Sequence, residues 1–229
     1  MRVLALVPAR GGSKRVERKN LARLGGRTLV RRALDTALAA DCFDAVAVSS
    51  DDPEVLAEAD DLPAVIRVRR PPELAGDEAT AYDALTHALE LVEARDADQF
   101  DAVAIVQCTS PFTAPEDLAG AVEMLDRTGA GSVVTVARVD AIEHPFKLKR
   151  MEGDRLLPFI EDDAMRASHE LPPLWRRNGS AYVTRRSVIA SGEILAEDVR
   201  GYEMPSERSL DIDTPTDLAL AQFLMARDS

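Results

Sequence analysis

The sequence predicts an α/β fold: βα units forming a sheet covered by helices on both faces, followed by an inserted arm. Three observations carry this prediction. Short apolar runs alternate with amphipathic stretches through the first 140 residues. One of those runs, residues 102–106, is continuously apolar, as befits a strand covered on both sides. Loops rich in glycine, serine and charge stand at the strand ends, where sheets of this class bind ligands.

The elements follow in order. Residues 3–7 are a buried strand, and residues 28–40 carry apolar side chains at helical spacing. Residues 45–48 form a second strand, closed by Ser49-Ser50-Asp51-Asp52-Pro53, a helix-start signal for residues 54–59. A short strand at 65–68 leads into an Arg-Pro-Pro loop and a long helix from about 79 to 95. The 102–106 strand, a helix at 115–127 and a strand at 132–137 complete this part. The pattern then changes: Pro145, Pro158, Pro172 and Pro173 interrupt short apolar pairs from about 140 to 182, as in hairpins and an extended arm. Residues 178–183 and 202–204 read as returning strands, and 215–225 as a terminal helix. The expectation is one domain over residues 1–229, with the inserted arm at about 140–182.

Composition narrows the function. Forty Asp+Glu against 28 Lys+Arg give a net charge of −12, which disfavours a nucleic-acid partner, since that needs a broad basic face. No apolar stretch approaches the roughly 18 residues of a membrane span. Arg10 interrupts the first apolar run too early for a signal peptide. Cys42 and Cys108 lack metal-ligand spacing, so a reducing cytoplasm is the expected location. His87, His144 and His169 are scattered, against a His-based zinc site.

Within this acidic chain, five cations fall between Arg10 and Lys19 against a single acid, Glu17. Gly11, Gly12 and Ser13 lie among them, flanked by Arg10, Lys14 and Lys19. Glycine lets backbone N–H groups approach an anion closely. A triphosphate carries about four negative charges, so two or three cations are needed to hold it and its departing pyrophosphate. The loop therefore reads as a polyphosphate clamp for one nucleotide; it is neither a Gly-x-x-x-x-Gly-Lys-Ser/Thr loop nor a Gly-x-Gly-x-x-Gly fingerprint.

Near the C-terminus, Asp211 and Asp213 share one face of an extended segment while Leu210 and Ile212 face the core. Two hard oxygen ligands suit Mg²⁺ bound jointly with substrate phosphates. Thr214, Pro215 and Asp217 instead make a helix start, which leaves the Asp211/Asp213 pair unexplained by capping. Gln107, Thr109 and Ser110 follow the buried strand, with Gln107 able to donate and accept at a sugar or base edge. For Thr109 and Ser110, ligand contact and a simple Ser/Thr turn fit equally well. Cys108, with no base near it in sequence, reads as a buried thiol and not a nucleophile. The stretch from Arg70 through Ala79 and Ala81 reads first as a loop and an acidic helix start; its small residues would admit a planar base.

Taken in order, four segments resemble the motifs of the acylneuraminate cytidylyltransferase family, the CMP-sialic acid synthetases and their bacterial nonulosonate relatives. They are Pro8-Ala9-Arg10-Gly11-Gly12-Ser13-Lys14-Arg15 with Lys19-Asn20; Gln107 with Thr109-Ser110-Pro111; His144-Pro145 with Asn178-Gly179-Ser180-Ala181-Tyr182; and Asp211-Ile212-Asp213. The resemblance implies a three-layer Rossmann-like nucleotidyltransferase fold with a mixed, mostly parallel sheet and an inserted β-rich dimerisation arm, hence a homodimer. It places Arg10, Gly11, Ser13 and Lys19 on the triphosphate, Asn20 on the nucleotide, and Arg70 with the backbone from Ala79 to Ala81 on cytosine. Gln107 and Lys147 would meet the sugar acid, and Asp211 and Asp213 would hold Mg²⁺. Arg10, Lys19, Asp211 and Asp213 would then serve the chemistry, in which the anomeric hydroxyl of a 2-keto sugar acid attacks the α-phosphorus of CTP and releases pyrophosphate.

Two positions depart from the family pattern. Cys108 stands where relatives often have Pro. Ser168 and His169 stand where members handling sialic acids carry Arg-Gln, with Arg166, Arg176 or Arg177 as possible substitutes. That second departure keeps other CTP-dependent acceptors open, a 3-deoxy-octulosonate or a phosphonate among them. A sugar-1-phosphate nucleotidyltransferase would share an N-terminal phosphate clamp, but the Asn178–Tyr182 and Asp211–Asp213 segments speak against it. A nucleotide-binding protein without activity is opposed by the presence of Arg10, Lys19, Asp211 and Asp213 together.

Overall fold

The apolar run at the N-terminus becomes β1 (Val3–Pro8), a strand fully buried up to Val7 and central to the molecule. The computed structural model describes residues 1–13, 15–76, 79–96, 99–160 and 167–227. Lys14 of the basic loop and Arg166 of the arm lie outside the described residues. After β1 come a small hairpin, β2 (Arg23–Leu24) and β3 (Arg27–Thr28), and then α1 (Leu29–Ala39). Gly25 and Gly26 make the hairpin turn at φ +59° and +80°, a region that disfavours side chains. Thr28 caps α1 by accepting from Arg31 N–H.

The chain continues through β4 (Ala45–Ser50), α2 (Pro53–Ala57), β5 (Val65–Arg69), α3 (Ala81–Asp96), β6 (Ala102–Val106), α4 (Pro115–Thr128) and β7 (Ser132–Arg138). The helix α2 stops short of the expected residue 59 because its tail tightens into i→i+3 bonds, Ala59 N–H to Leu56 and Asp60 N–H to Ala57. Likewise α3 starts at Ala81, two residues late. Thr80 and Asp83 exchange bonds, Thr80 N–H to Asp83 Oδ2 at 2.9 Å and Asp83 N–H to Thr80 Oγ1 at 3.1 Å, which makes Thr80 the cap.

The second half contains a hairpin, β8 (Lys149–Glu152) with β9 (Arg155–Pro158), then β10 (Trp175–Arg185), α5 (Arg186–Ala190), β11 (Val199–Glu203) and α6 (Pro215–Arg227). The main sheet has seven strands in the order β11-β7-β10-β6-β1-β4-β5. All neighbours are parallel except β10, which runs antiparallel to both β6 and β7. Because β10 begins at Trp175, opposite Arg138, the insertion outside this sheet runs from 139 to 174, shorter than the expected arm. Neither α5 nor the β2–β3 hairpin was expected from the apolar pattern, since both are too short to carry a period.

Alternation along β1 sorts the core. Leu4 and Leu6 pack with Leu85, Leu89 and Val92 of α3, while Ala5 and Val7 pack with Leu29, Val30 and Leu34 of α1. The result is helix–sheet–helix layering, with α4 extending the α1 side through Ala121, Val122 and Leu125. Leu34 is fully buried, and truncating it to Ala would cost about 2–5 kcal/mol. This rigid sheet carries β1, β4, β5 and β6 to one common edge, and the site stands on that edge.

Candidate active site

Two chambers open where the parallel strands end. One, of about 400 Å³, is lined by Arg10, Ser13, Arg15, Lys19, Asn20, Gln107, Thr109 and Asp213, among others. Another, of about 290 Å³, is lined by Arg10, Arg70, Leu74, Gly76, Ala79, Thr80, Ala81 and Gln107. Pro8, Arg10 and Gln107 border both, so the two form one cleft. The first wall is cationic; the second is mainly small and apolar with one buried guanidinium.

The basic loop is held from below. Gly11 N–H donates to Asp51 Oδ1 at 3.0 Å, and a Cβ on Gly11 would lie 2.9 Å from Asp52 Cβ. Gly11 thus serves the loop's seating, and its N–H faces Asp51 and not the cleft, a departure from the expected phosphate contact. Asn20, nearly buried, borders the chamber while its amide donates to the Arg10 carbonyl at 2.9 Å. Arg18 takes a left-handed backbone at φ 50° and reaches Glu54 at 2.9 Å and Asp52 at 3.5 Å. The loop is therefore tied to the start of α2 at several points.

Lys19 crosses the chamber. Its Nζ donates to the Ile212 carbonyl at 2.9 Å and to Asp213 Oδ1 at 3.1 Å. Arg15 Nη1 approaches Asp213 Oδ2 at 3.6 Å. Asp211 lies deeper, half-buried, with the Thr109 hydroxyl hydrogen-bonded to it. Burial pushes its carboxyl above the ordinary range, the Asp213 charge adds to that, and Thr109 and Lys19 oppose it. Its Oδ1 is buried without a hydrogen-bond partner.

The carboxylate-bearing segment belongs to no strand, so its position comes from side-chain anchors. Arg208 forms a bidentate pair with Asp117 (2.8 and 2.7 Å), which is wholly buried at the start of α4. Asn178 donates to Ser209 Oγ at 2.9 Å, and Ile212 N–H donates to the Thr109 carbonyl at 2.8 Å. Gly179, at φ +80°, bends β10 beside the carboxylate; a Cβ there would lie 3.4 Å from Asp211 Oδ2. Asp217 receives the N–H groups of Asp213 and Thr214, the capping role expected of it.

In the apolar chamber Arg70 is buried, donating from Nε and Nη2 to the Ser49 hydroxyl and carbonyl at 3.3 and 3.1 Å. Burial lowers its pKa, partly offset by Asp51. Thr109 borders the cleft, whereas Ser110 sits in the turn closed by Thr113 N–H, so the structure separates two residues the sequence left equal. Cys108 is buried and its thiol is pushed up to about 12 by desolvation, which keeps it protonated. Lys147 borders neither chamber; its Nζ donates to Ser168 Oγ at 3.1 Å within the arm. His144 is a buried support there, its Nε2 3.1 Å from the Pro172 carbonyl.

Sequence reasoning did not assign Arg15, Ser49 or Asp51 to the site. Arg15 was legible only as one charge among several, and Ser49 and Asp51 were absorbed by the helix-start signal of α2. As a metal site, the arrangement fits a hard divalent ion: Asp211 offers an orphaned buried oxygen and Asp213 faces the chamber. Among the described residues no group of three or more His, Cys, Asp or Glu could hold a metal alone, so the remaining ligands would come from phosphate oxygens.

A nucleotide-sized cleft, cationic at one end and small-walled at the other, on the C-terminal edge of an α/β sheet defines a nucleotidyltransferase. The cytidylyltransferase family matches residues 4–224, and the chain belongs to it. It is 32% identical over 227 residues to CMP-N,N'-diacetyllegionaminic acid synthase of Legionella pneumophila, covering 98% of this chain and 97% of that one. It is 31% identical to N-acylneuraminate cytidylyltransferase A of Danio rerio, over 98% of this chain and 51% of that longer protein. In fold it matches CMP:2-keto-3-deoxy-manno-octonic acid synthetase complexed with CTP at a TM-score of 0.71, 21% identity and full coverage of both chains. No helix among the described residues is long and apolar enough to cross a membrane.

Proposed function

We propose that this cytidylyltransferase activates a nonulosonic, sialic-like acid: CTP and the 2-keto sugar acid give the CMP-sugar acid and pyrophosphate. The observation that carries the reading is the single cleft in which Arg10 and Gln107 border both a cationic chamber and a base-sized one. Arg10, Arg15, Ser13 and Lys19 would hold the triphosphate, with Asn20 keeping the Arg10 loop in place. Arg70 and the backbone from Ala79 to Ala81 would take cytosine. Gln107, at the junction, would orient the acceptor toward the α-phosphorus, so that positioning supplies much of the rate.

Asp211 and Asp213 would hold Mg²⁺, which when bound supplies charge stabilisation to the phosphoryl oxygens. Lys19 and Arg10 would stabilise charge on the departing pyrophosphate. No covalent intermediate is needed, in keeping with the protonated, buried Cys108. Residues 1–229 would act as one catalytic domain, in the cytoplasm where CTP is made. We further infer a homodimer through the arm: Ile142, Met151, Leu156, Phe159 and Trp175 are apolar and exposed there, with Met151 and Leu156 at 68% and 66%.

Pyrophosphate release with CTP, Mg²⁺ and a panel of 2-keto sugar acids tests the proposal, with ATP, GTP and UTP as controls. Release confined to CTP and a nonulosonic acid is expected. The engagement of Lys147 with Ser168, away from both chambers, favours including 3-deoxy-octulosonate and phosphonate acceptors. Release with one of those alone would move the acceptor assignment and leave the nucleotide chemistry standing. CTP binding without release from any acceptor would sink the enzymatic reading.

A further inference from the structure

We infer that Lys19 and Arg15 close the metal site until a nucleotide arrives, so that a divalent ion binds this protein only together with the nucleotide. The inference rests on reading Asp211 and Asp213 as the metal ligands. What motivates it is the state of the Asp213 carboxylate. Its Oδ1 accepts from Lys19 Nζ at 3.1 Å, and its Oδ2 faces Arg15 Nη1 at 3.6 Å. Both oxygens that a hard cation would use already face cations of the chain itself.

The Lys19 contact is not a loose surface pairing of the kind that contributes little. The Asp213 side chain is 54% exposed, but that of Lys19 is only 16% exposed, and a second bond to the Ile212 carbonyl at 2.9 Å fixes the ammonium between the two carboxylate-bearing residues. A divalent ion entering alone would meet that ammonium at the same oxygen, and like charges a few ångströms apart repel strongly away from bulk water. Asp211 by itself offers one ligand side chain, too little for an ion that dehydrates reluctantly.

A triphosphate changes the count. Its charge draws the ammonium and guanidinium off the carboxylate, since phosphate oxygens are the denser anion and the same loop borders them. Asp213 is then left without its counter-charges just as phosphate oxygens enter to complete an ion's coordination. The exchange is partner for partner: the cations move from carboxylate to phosphate, and the carboxylate receives the ion. Arg15, outside the set expected from sequence, acquires a role in this exchange. Linkage makes the coupling reciprocal, so the ion tightens nucleotide binding by the same factor.

The test titrates Mn²⁺, read by the electron-spin signal of the free ion, into the full chain. It is run with and without a CTP analogue carrying a methylene bridge between the α- and β-phosphorus, against a protein-free control for the analogue. The wild-type protein is expected to bind Mn²⁺ at least tenfold more tightly with the analogue. Lys19→Met should raise nucleotide-free Mn²⁺ affinity at least tenfold. Arg15→Met should raise it less, because that contact is longer and its side chain is 73% exposed. Lys19→Gln, which removes the charge and keeps a donor for Ile212, guards against a folding defect and should behave like Lys19→Met. Equal Mn²⁺ affinity with and without the analogue overturns the inference, as does unchanged nucleotide-free affinity in both folded Lys19 variants. The metal reading itself fails differently: an Asp211→Asn/Asp213→Asn double variant that binds Mn²⁺ as the wild type does with the analogue overturns both.

Discussion

At the scale of the residue, the cleft depends on residues that do not line it. Gly179 is one: at φ +80° a β-carbon is strained whatever the space, and the position adjoins Asp211. Gly179→Ala should lower stability by about 1 kcal/mol and reduce turnover more than CTP affinity, measurable by denaturant midpoints beside steady-state kinetics. Cys108 gives the opposite expectation. With its thiol pushed up to about 12, it stays neutral through the physiological range, and Cys108→Ser should keep turnover. Alkylation of the native protein at pH 8 should spare Cys108, with mass spectrometry locating any adduct; inactivity of a folded Cys108→Ser would restore the thiol to the mechanism. Charge made much of this scale legible in the sequence. Lys19 and Asp213 stood out because cations in an acidic chain and paired acids need a reason, and the fold joins them. Ser49 and Asp51 did not stand out, because a helix start already accounted for them. Only the contacts made by the fold reveal their work, Asp51 beneath Gly11 and Ser49 beneath Arg70.

At the scale of the element, strands were easier to read than boundaries. Periodicity fixes which face is buried, whereas the ends of α2 and α3 depend on local bonds such as the Thr80–Asp83 exchange. Those bonds hold the Asp83 carboxyl below its ordinary range. A depressed folded-state pKa means stability that is present above the unfolded value and lost as pH falls through the folded one. Asp83→Ala should therefore destabilise the protein at pH 7, with the difference from wild type shrinking as pH drops below the carboxylate range; thermal midpoints across pH 7 to about 3 would show it. The segment carrying Asp211 and Asp213 makes a different point. It has no ladder of its own, and the half-buried Arg208, paired with the buried Asp117, is its charged brace. Arg208→Met leaves Asp117 in the core with the Ala114 N–H but no cation, and should cost about 3 kcal/mol, with nucleotide-dependent metal affinity falling as the segment loosens. Restoration by a second substitution, Asp117→Asn, would separate the charge penalty from the loss of placement.

At the scale of the whole molecule, the cleft stands on the sheet edge, and no described residue of the arm lines either chamber. The exposed apolar side chains of the β8–β9 hairpin should hold two subunits together. Met151→Glu with Leu156→Glu should give a monomer by sedimentation equilibrium while the nucleotide site still binds CTP; an unchanged assembly would remove the hairpin from the interface. The arm's extent was the least legible part of the fold. Prolines and short apolar pairs announced it, but its return to the sheet at Trp175 rests on pairing with β7, a long-range contact that no local pattern encodes.

That return has a consequence of its own. Because β10 alone runs against its neighbours, the excursion leaves from Arg138 and comes back at Trp175, two residues facing each other across adjacent strands. Its two ends are already fixed side by side, so lengthening or exchanging what lies between adds little closure entropy and leaves the strand order intact. The molecule is thus modular at one seam. A lineage could trade the excursion for another while the strands that carry the cleft pass unaltered from one version to the next.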